Sequence, residues 1–171
     1  MSFGVVRTDK MMGTDVRSML ESVKYMGSGS TETAIDNGNI VKIDGSLMTG
    51  EREIKKGITP AAGDTLDKIV LIATPEVMYD ERKHNLDEFR NEAGKVCRGY
   101  HMHSGDIFSL TKDALDGATA PAVGDIVELK AGTKLNVVAA ATGATKDSTV
   151  VGKIIAKDIA GRYTYYVIQV D

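Results

Sequence analysis

The residues best equipped for chemistry stand in one short run, VCRGYHMHSGD, where a cysteine and two histidines fall between positions 97 and 103. On a strand, His101 and His103 at i and i+2 point to one face, so two imidazoles could share a metal ion. Cys97 lies at an even offset from His101 and would join that face on an unbroken strand, although Gly99 stands between them. A working site needs at least a third ligand, usually a carboxylate. The positions where such a ligand would follow on a histidine-bearing barrel strand are Ile107 and Phe108. The third histidine, His84, lies in a charged segment, and neither a His-Glu-x-x-His nor a Cys-x-x-Cys spacing occurs. The expectation is a half-buried strand with Tyr100 and Met102 inward and the imidazoles outward, without metal or cofactor.

The remaining chemistry is thinner. Asp80, Glu81, Asp87, Glu88 and Glu92 could pair for acid–base work. They alternate with Arg82, Lys83, Arg90 and Lys95 at helical spacings, the pattern of a salt-bridged surface. No Gly-x-Ser-x-Gly, phosphate-loop or dinucleotide fingerprint is present. No catalytic role is expected. A metal-dependent enzyme built on His101 and His103 is the least favoured alternative.

The elements that must carry these residues read as β. Short runs rich in Val and Ile, bounded by Gly, Asp or Asn, occupy 39–43, 68–73, 106–110, 125–129, 134–140, 149–156 and 163–170. The last two are joined by KDIAGR, a plausible hairpin with Gly161 at the turn. Gly152 inside the preceding run suggests a bulge or bend. In KIVLIA, Ile69, Leu71 and Ala73 alternate with Val70 and Ile72, so this strand should be buried on both faces. One helix is expected: Asn85 and Glu88 form a capping box, Leu86, Phe89 and Ala93 share a face, and Gly94 sits where a helix ends. The fold class is therefore mainly β, a compact β-barrel or β-sandwich with one short surface helix and an N-terminal extended or helical arm.

That arm is residues 1–35, with the β-rich body at 36–171. It holds five of the eight methionines and ends in GSGSTET, which is linker chemistry. Val16, Met19, Leu20 and Val23 follow the i, i+3, i+4, i+7 spacing of a helical face, with Thr14 as a cap and Gly27 as a stop. So narrow a stripe makes an isolated helix marginal in water. Two readings stand: an arm loosely ordered until it docks, or an ordinary helix packed on its own domain. The docking reading takes Phe3, Val5, Val6, Met11, Met12, Val16, Met19, Leu20 and Val23 as the contact residues, methionine being well suited to conform to a partner's groove.

Composition bounds the rest. The 171 residues suit one globular domain, large enough to hold a core without disulfide or metal. A single cysteine excludes an intramolecular disulfide and suits a reducing cytoplasm. The net charge of −3, with Lys and Arg scattered, carries no footprint for nucleic acid. No membrane span and no signal peptide are expected.

The order of NGNIVKIDG, GERE, TPEVMYDE, LDEF with AGK, GDIFSLTKDALDG and VGDIVELKAGTKLNVV, over residues 37–117 and 123–138, resembles head decoration (cement) proteins of tailed bacteriophages. The resemblance implies a structural virion protein bound to the outside of the expanded capsid and stabilising the head. Its partner would be the major capsid protein, with possible self-association as a trimer on the shell. It would be made in the host bacterial cytoplasm. The rival reading is another phage structural subunit, in the tail or the head–tail junction.

Overall fold

A computed structural model describes residues 2–27 and 31–171. Ser28, Gly29 and Ser30, the centre of the expected linker, lie outside the described residues. The chain is mainly β, as its alternating runs predict, and twelve strands among the described residues form two sheets.

The first is a closed five-stranded barrel. It is made from β2 (Leu20–Tyr25), β3 (Ile40–Leu47), β4 (Ile54–Ile58), β5 (Ile69–Ile72) and β6 (Cys97–His101), in the order β2-β4-β3-β5-β6. All its pairings are antiparallel except β2 with β4, and β6 pairs back onto β2 to close the ring. The second sheet has seven strands: β1 (Val6–Lys10), β7 (Ile107–Thr111), β8 (Leu115–Gly117), β9 (Ile126–Glu128), β10 (Leu135–Val138), β11 (Val150–Ala160) and β12 (Tyr163–Val170). Their order is β1-β7-β12-β11-β9-β10-β8.

The period of two along each barrel strand separates two cores. Val23, Val41, Ile43, Val70, Ile72 and Cys97 fill the barrel bore. On the outer face, Ile40, Ile69, Leu71, Tyr100 and Met102 pack against Phe108, Leu110, Val127, Leu135, Ile154 and Ile168 of the seven-stranded sheet. β5 belongs to both cores, so the expectation of two-sided burial for KIVLIA holds residue by residue. The bore is narrow: a Cβ on Gly99 would meet Val70 Cγ2 at 2.8 Å. Gly152 lies where the β9–β11 register shifts, and a Cβ there would collide with the Gln169 carbonyl, so the expected bulge is present.

Two expectations need correction. Residues 1–35 do not form a separate arm. β1 lies beside β7, and β2 sits inside the barrel wall with β4 on one side and β6 on the other. In place of a helix over Val16–Val23 there is a 3-10 turn, Arg17–Met19, running straight into β2. The physical reason is that β2 finds partners for its backbone on both edges while Val23 fills the bore. A four-residue apolar stripe on a short helix offers far less burial.

The second correction is the helix expected after Asn85. The capping box is real, with Asn85 and Glu88 reciprocally bonded, but it caps only the 3-10 turn Leu86–Glu88. Phe89 is already extended, at φ −80 and ψ 137. The chain must straighten there because Asn91 bridges to Ile35. Gly94 does take a positive φ of 79, but in the turn closed by Lys95 N–H donating to Glu92 O at 3.1 Å.

Candidate functional site

His101 ends β6 on the bore side of the barrel. Its Nε2 lies 3.2 Å from Glu21 Oε1, and the same oxygen accepts from Lys55 Nζ at 2.7 Å. A carboxylate only accepts, so His101 holds its proton on Nε2 and presents no free lone pair there. These three side chains line an open barrel mouth of about 510 Å³ together with Lys42, Asp67 and Lys68. Lys42 is itself paired with Asp64 at 2.5 Å. Glu21, Lys55, His101 and Lys42 are thus already engaged, each with a partner of opposite or complementary polarity.

His103 lies past the end of β6, exposed, with Nε2 2.9 Å from Met19 Sδ. Its backbone N–H donates to Asp106 Oδ2, whose other oxygen accepts from the Met12 N–H, each at 2.9 Å. Asp106 thus ties the turns that follow β1 to the β6–β7 turn. Cys97 points into the bore, and four residues of strand put it about 13 Å from His101, too far to share an ion. Burial pushes its thiol up to about 11. Tyr100 and Met102 are buried, as expected, but of the imidazoles expected outward only His103 is exposed, His101 being half-buried on the bore side because β6 is a wall of the barrel. Among the described residues, no group of three or more His, Cys, Asp or Glu side chains is placed to hold a metal.

Three of the five clustered acids are also engaged in structure. Asp80 pairs with Arg82, and Glu88 caps the 86–88 turn. Asp87 is buried and accepts from Tyr163 Oη at 2.8 Å and Ser2 Oγ at 3.1 Å. Burial disfavours its charge. The hydrogen bonds from Tyr163 and Ser2, with the Arg162 guanidinium nearby, outweigh that and hold the carboxyl below its ordinary value.

The expected docking residues divide by burial. Val5, Val6, Met11 and Val23 are core residues and are not available to a partner. Phe3, Met19 and Leu20 are half-buried, leaving Met12 and Val16 exposed on the 3-10 turns. The nine do not form one surface.

A different surface does gather exposed apolar side chains: the long connection between β5 and β6, residues 73–96. Val77, Tyr79, Leu86 and Val96 are exposed on it, Tyr79 at 93%. Irregular connections of this length are uncommon in compact domains and are often functional. This one is fastened at its base rather than loose. Asn37, itself buried, donates to Thr74 O at 2.7 Å and accepts from Thr74 N–H at 3.1 Å and Asn91 Nδ2 at 3.0 Å. Ile35 and Asn91 exchange both backbone bonds. Arg90 Nε stands 2.9 Å from Asp36 Oδ1, an ion pair without the alignment of a hydrogen bond. Asp87 ties the far end to Tyr163 of the β11–β12 hairpin. Sequence reasoning assigned 85–94 to a charged helix and so missed this surface. The available signal was the stretch TPEVMYDE, which places Val77, Met78 and Tyr79 among acidic residues next to Pro75.

Protein-family models, curated proteins and solved structures were all compared with this chain, and none matches it.

Proposed function

We propose that this chain is a structural virion protein that binds the outer surface of a tailed-phage capsid and stabilises the expanded head. The observation that carries this reading is the 73–96 connection, an exposed apolar surface hydrogen-bonded onto a two-core β body. A protein that bridges shell subunits under internal pressure has to transmit tension, so its contact surface needs fixed attachment to its own framework. The bonds of Asn37 and Asn91 fasten it to the turn before β3, and Asp87 fastens it to Tyr163 of β12. Preorganised contact surfaces also lose less conformational entropy on binding. The order of sequence features over residues 37–117 and 123–138, which resembles that of head decoration proteins, supports the same reading.

On this reading the chain has no catalytic role and needs no cofactor. His101, Glu21 and Lys55 neutralise one another at the barrel mouth and keep β2, β4 and β6 in register. The partner is the major capsid protein, self-association as a trimer takes place on the shell, and the protein resides on the virion exterior. It contacts neither nucleic acid nor membrane. Among the described residues, no helix is long and apolar enough to cross a membrane.

The test is direct. Purified protein is mixed with expanded, decoration-free shells, sedimented, and the pellets are imaged by cryo-electron microscopy. The expected result is saturable binding with ordered density on the shell exterior. Absence of binding, or density confined to a tail or neck, overturns the proposal.

A further inference from the structure

The connection between β5 and β6 also carries a groove of about 310 Å³, small for a free ligand but sufficient for one anchoring side chain. Val77, Met78 and Tyr79 form one wall, while Phe89 and Val96 add apolar surface. Exposure alternates along 75–80, with Val77 and Tyr79 outward and Met78 half-buried, the period of an extended backbone. The backbone N–H groups of Met78 and Tyr79 meet no acceptor among the described residues. They are free to bond a second extended chain, as the edge of a sheet does.

The charges around the groove are lopsided. Lys83, Arg90 and Lys95 line it, against one lining carboxylate, Glu92. Arg90 is partnered by Asp36, whereas Lys83 and Lys95 have no acidic side chain within ion-pair distance among the described residues. In a chain whose net charge is −3, a locally basic rim around an apolar floor selects for an acidic partner.

We infer that this groove receives an extended segment of the capsid shell protein that carries an apolar side chain flanked by carboxylates. The inference rests on the proposed function and specifies its point of contact. The apolar side chain seats between the 77–79 segment and Phe89, the flanking carboxylates face Lys83 and Lys95, and the free amides of Met78 and Tyr79 bond the incoming backbone. Tyr79 has the makings of an anchor, since large aromatic side chains concentrate binding energy at interfaces.

The experiment uses full-length chains and expanded, decoration-free shells. Tyr79→Ser and the double change Lys83→Glu with Lys95→Glu are each expected to weaken shell binding at least tenfold. Lys83→Arg with Lys95→Arg should bind like the parent, and the parent's affinity should fall as salt is raised. Ile159→Ser, on the exposed β11–β12 hairpin, is the apolar control and should bind normally. The altered side chains are exposed, so thermal midpoints should match the parent's. Parent-like binding by both Tyr79→Ser and the charge-reversed variant overturns the groove assignment while leaving the capsid reading intact. Weakened binding by Ile159→Ser alone does the same and moves the contact to the hairpin. A parent protein that ignores shells overturns both.

Discussion

Deleting residues 1–30, so that the chain begins at Thr31, separates a detached arm from an integral part of the fold. The deletion removes Val5, Val6, Met11 and Val23, all at or below 9% exposure. Full burial of such a side chain contributes about 1.5–3 kcal/mol, so four contribute about 6–12 kcal/mol, an upper range because unfolded chains already bury some surface. The same deletion takes β2 out of the barrel wall, opening the ring between β4 and β6 and exposing the bore residues Val41, Val70 and Ile72. A domain of this kind has a total stability of about 5–15 kcal/mol. The loss is therefore as large as the whole, and the shortened chain should be unfolded or aggregated. Circular dichroism melts and size-exclusion chromatography of both chains measure it, and Val23→Asp, which puts a carboxylate into the bore, should behave similarly. A shortened chain that stays soluble and monomeric, with the parent's thermal midpoint, would refute the placement of β1 and β2.

Leu71→Asp should abolish soluble expression, because Leu71 is fully buried between the two sheets and an unpaired carboxylate there costs several kcal/mol; a soluble variant with the parent's melt would contradict it. Glu128 is buried and accepts from the Thr145 N–H at 2.8 Å, the Thr145 hydroxyl at 2.5 Å and Asn136 Nδ2 at 2.8 Å. Burial opposes its charge, but these bonds prevail and lower its pKa. Its contribution is thus fully present above the unfolded value of about 4.3 and lost as pH falls through the lower folded value. Glu128→Gln should cost about 1–3 kcal/mol in neutral urea titrations, with the gap to the parent shrinking below pH 4; an unchanged gap in acid would deny the charge its role. Cys97, buried and with its thiol raised to about 11, should resist a disulfide reagent at pH 8 until denaturant is added, and rapid native labelling would place it outside the bore. His101→Ala with His103→Ala should leave the melt within about 1 kcal/mol of the parent, and the parent should carry no stoichiometric zinc, iron or copper by elemental analysis.

What the sequence determined by itself is local. Period-two runs of Val and Ile identify β3, β5, β7 and β9–β12 to within a few residues, because alternation reports which faces are buried wherever the strand lies. KIVLIA announces burial on both faces, YHMH places Tyr100 and Met102 inward, and Gly152 marks its own bulge. Asn85 and Glu88 form their capping box because both partners are three residues apart. The tertiary structure decided whatever depended on a distant partner. LESVKY has a helical stripe and a strand alternation at once, and only the edges of β4 and β6, with a bore the width of Val23, select the strand. The turn at 86–88 stops after one bonded residue set because Ile35, far back in the chain, takes the backbone of Asn91. His101 becomes a structural group only when closure of the barrel brings Glu21 and Lys55 to it. The groove beside Tyr79 likewise exists only because Asn37 and Asn91 meet. Each of these outcomes is a non-local pairing whose burial outweighs local propensity, and a linear pattern does not encode which distant segment will supply it.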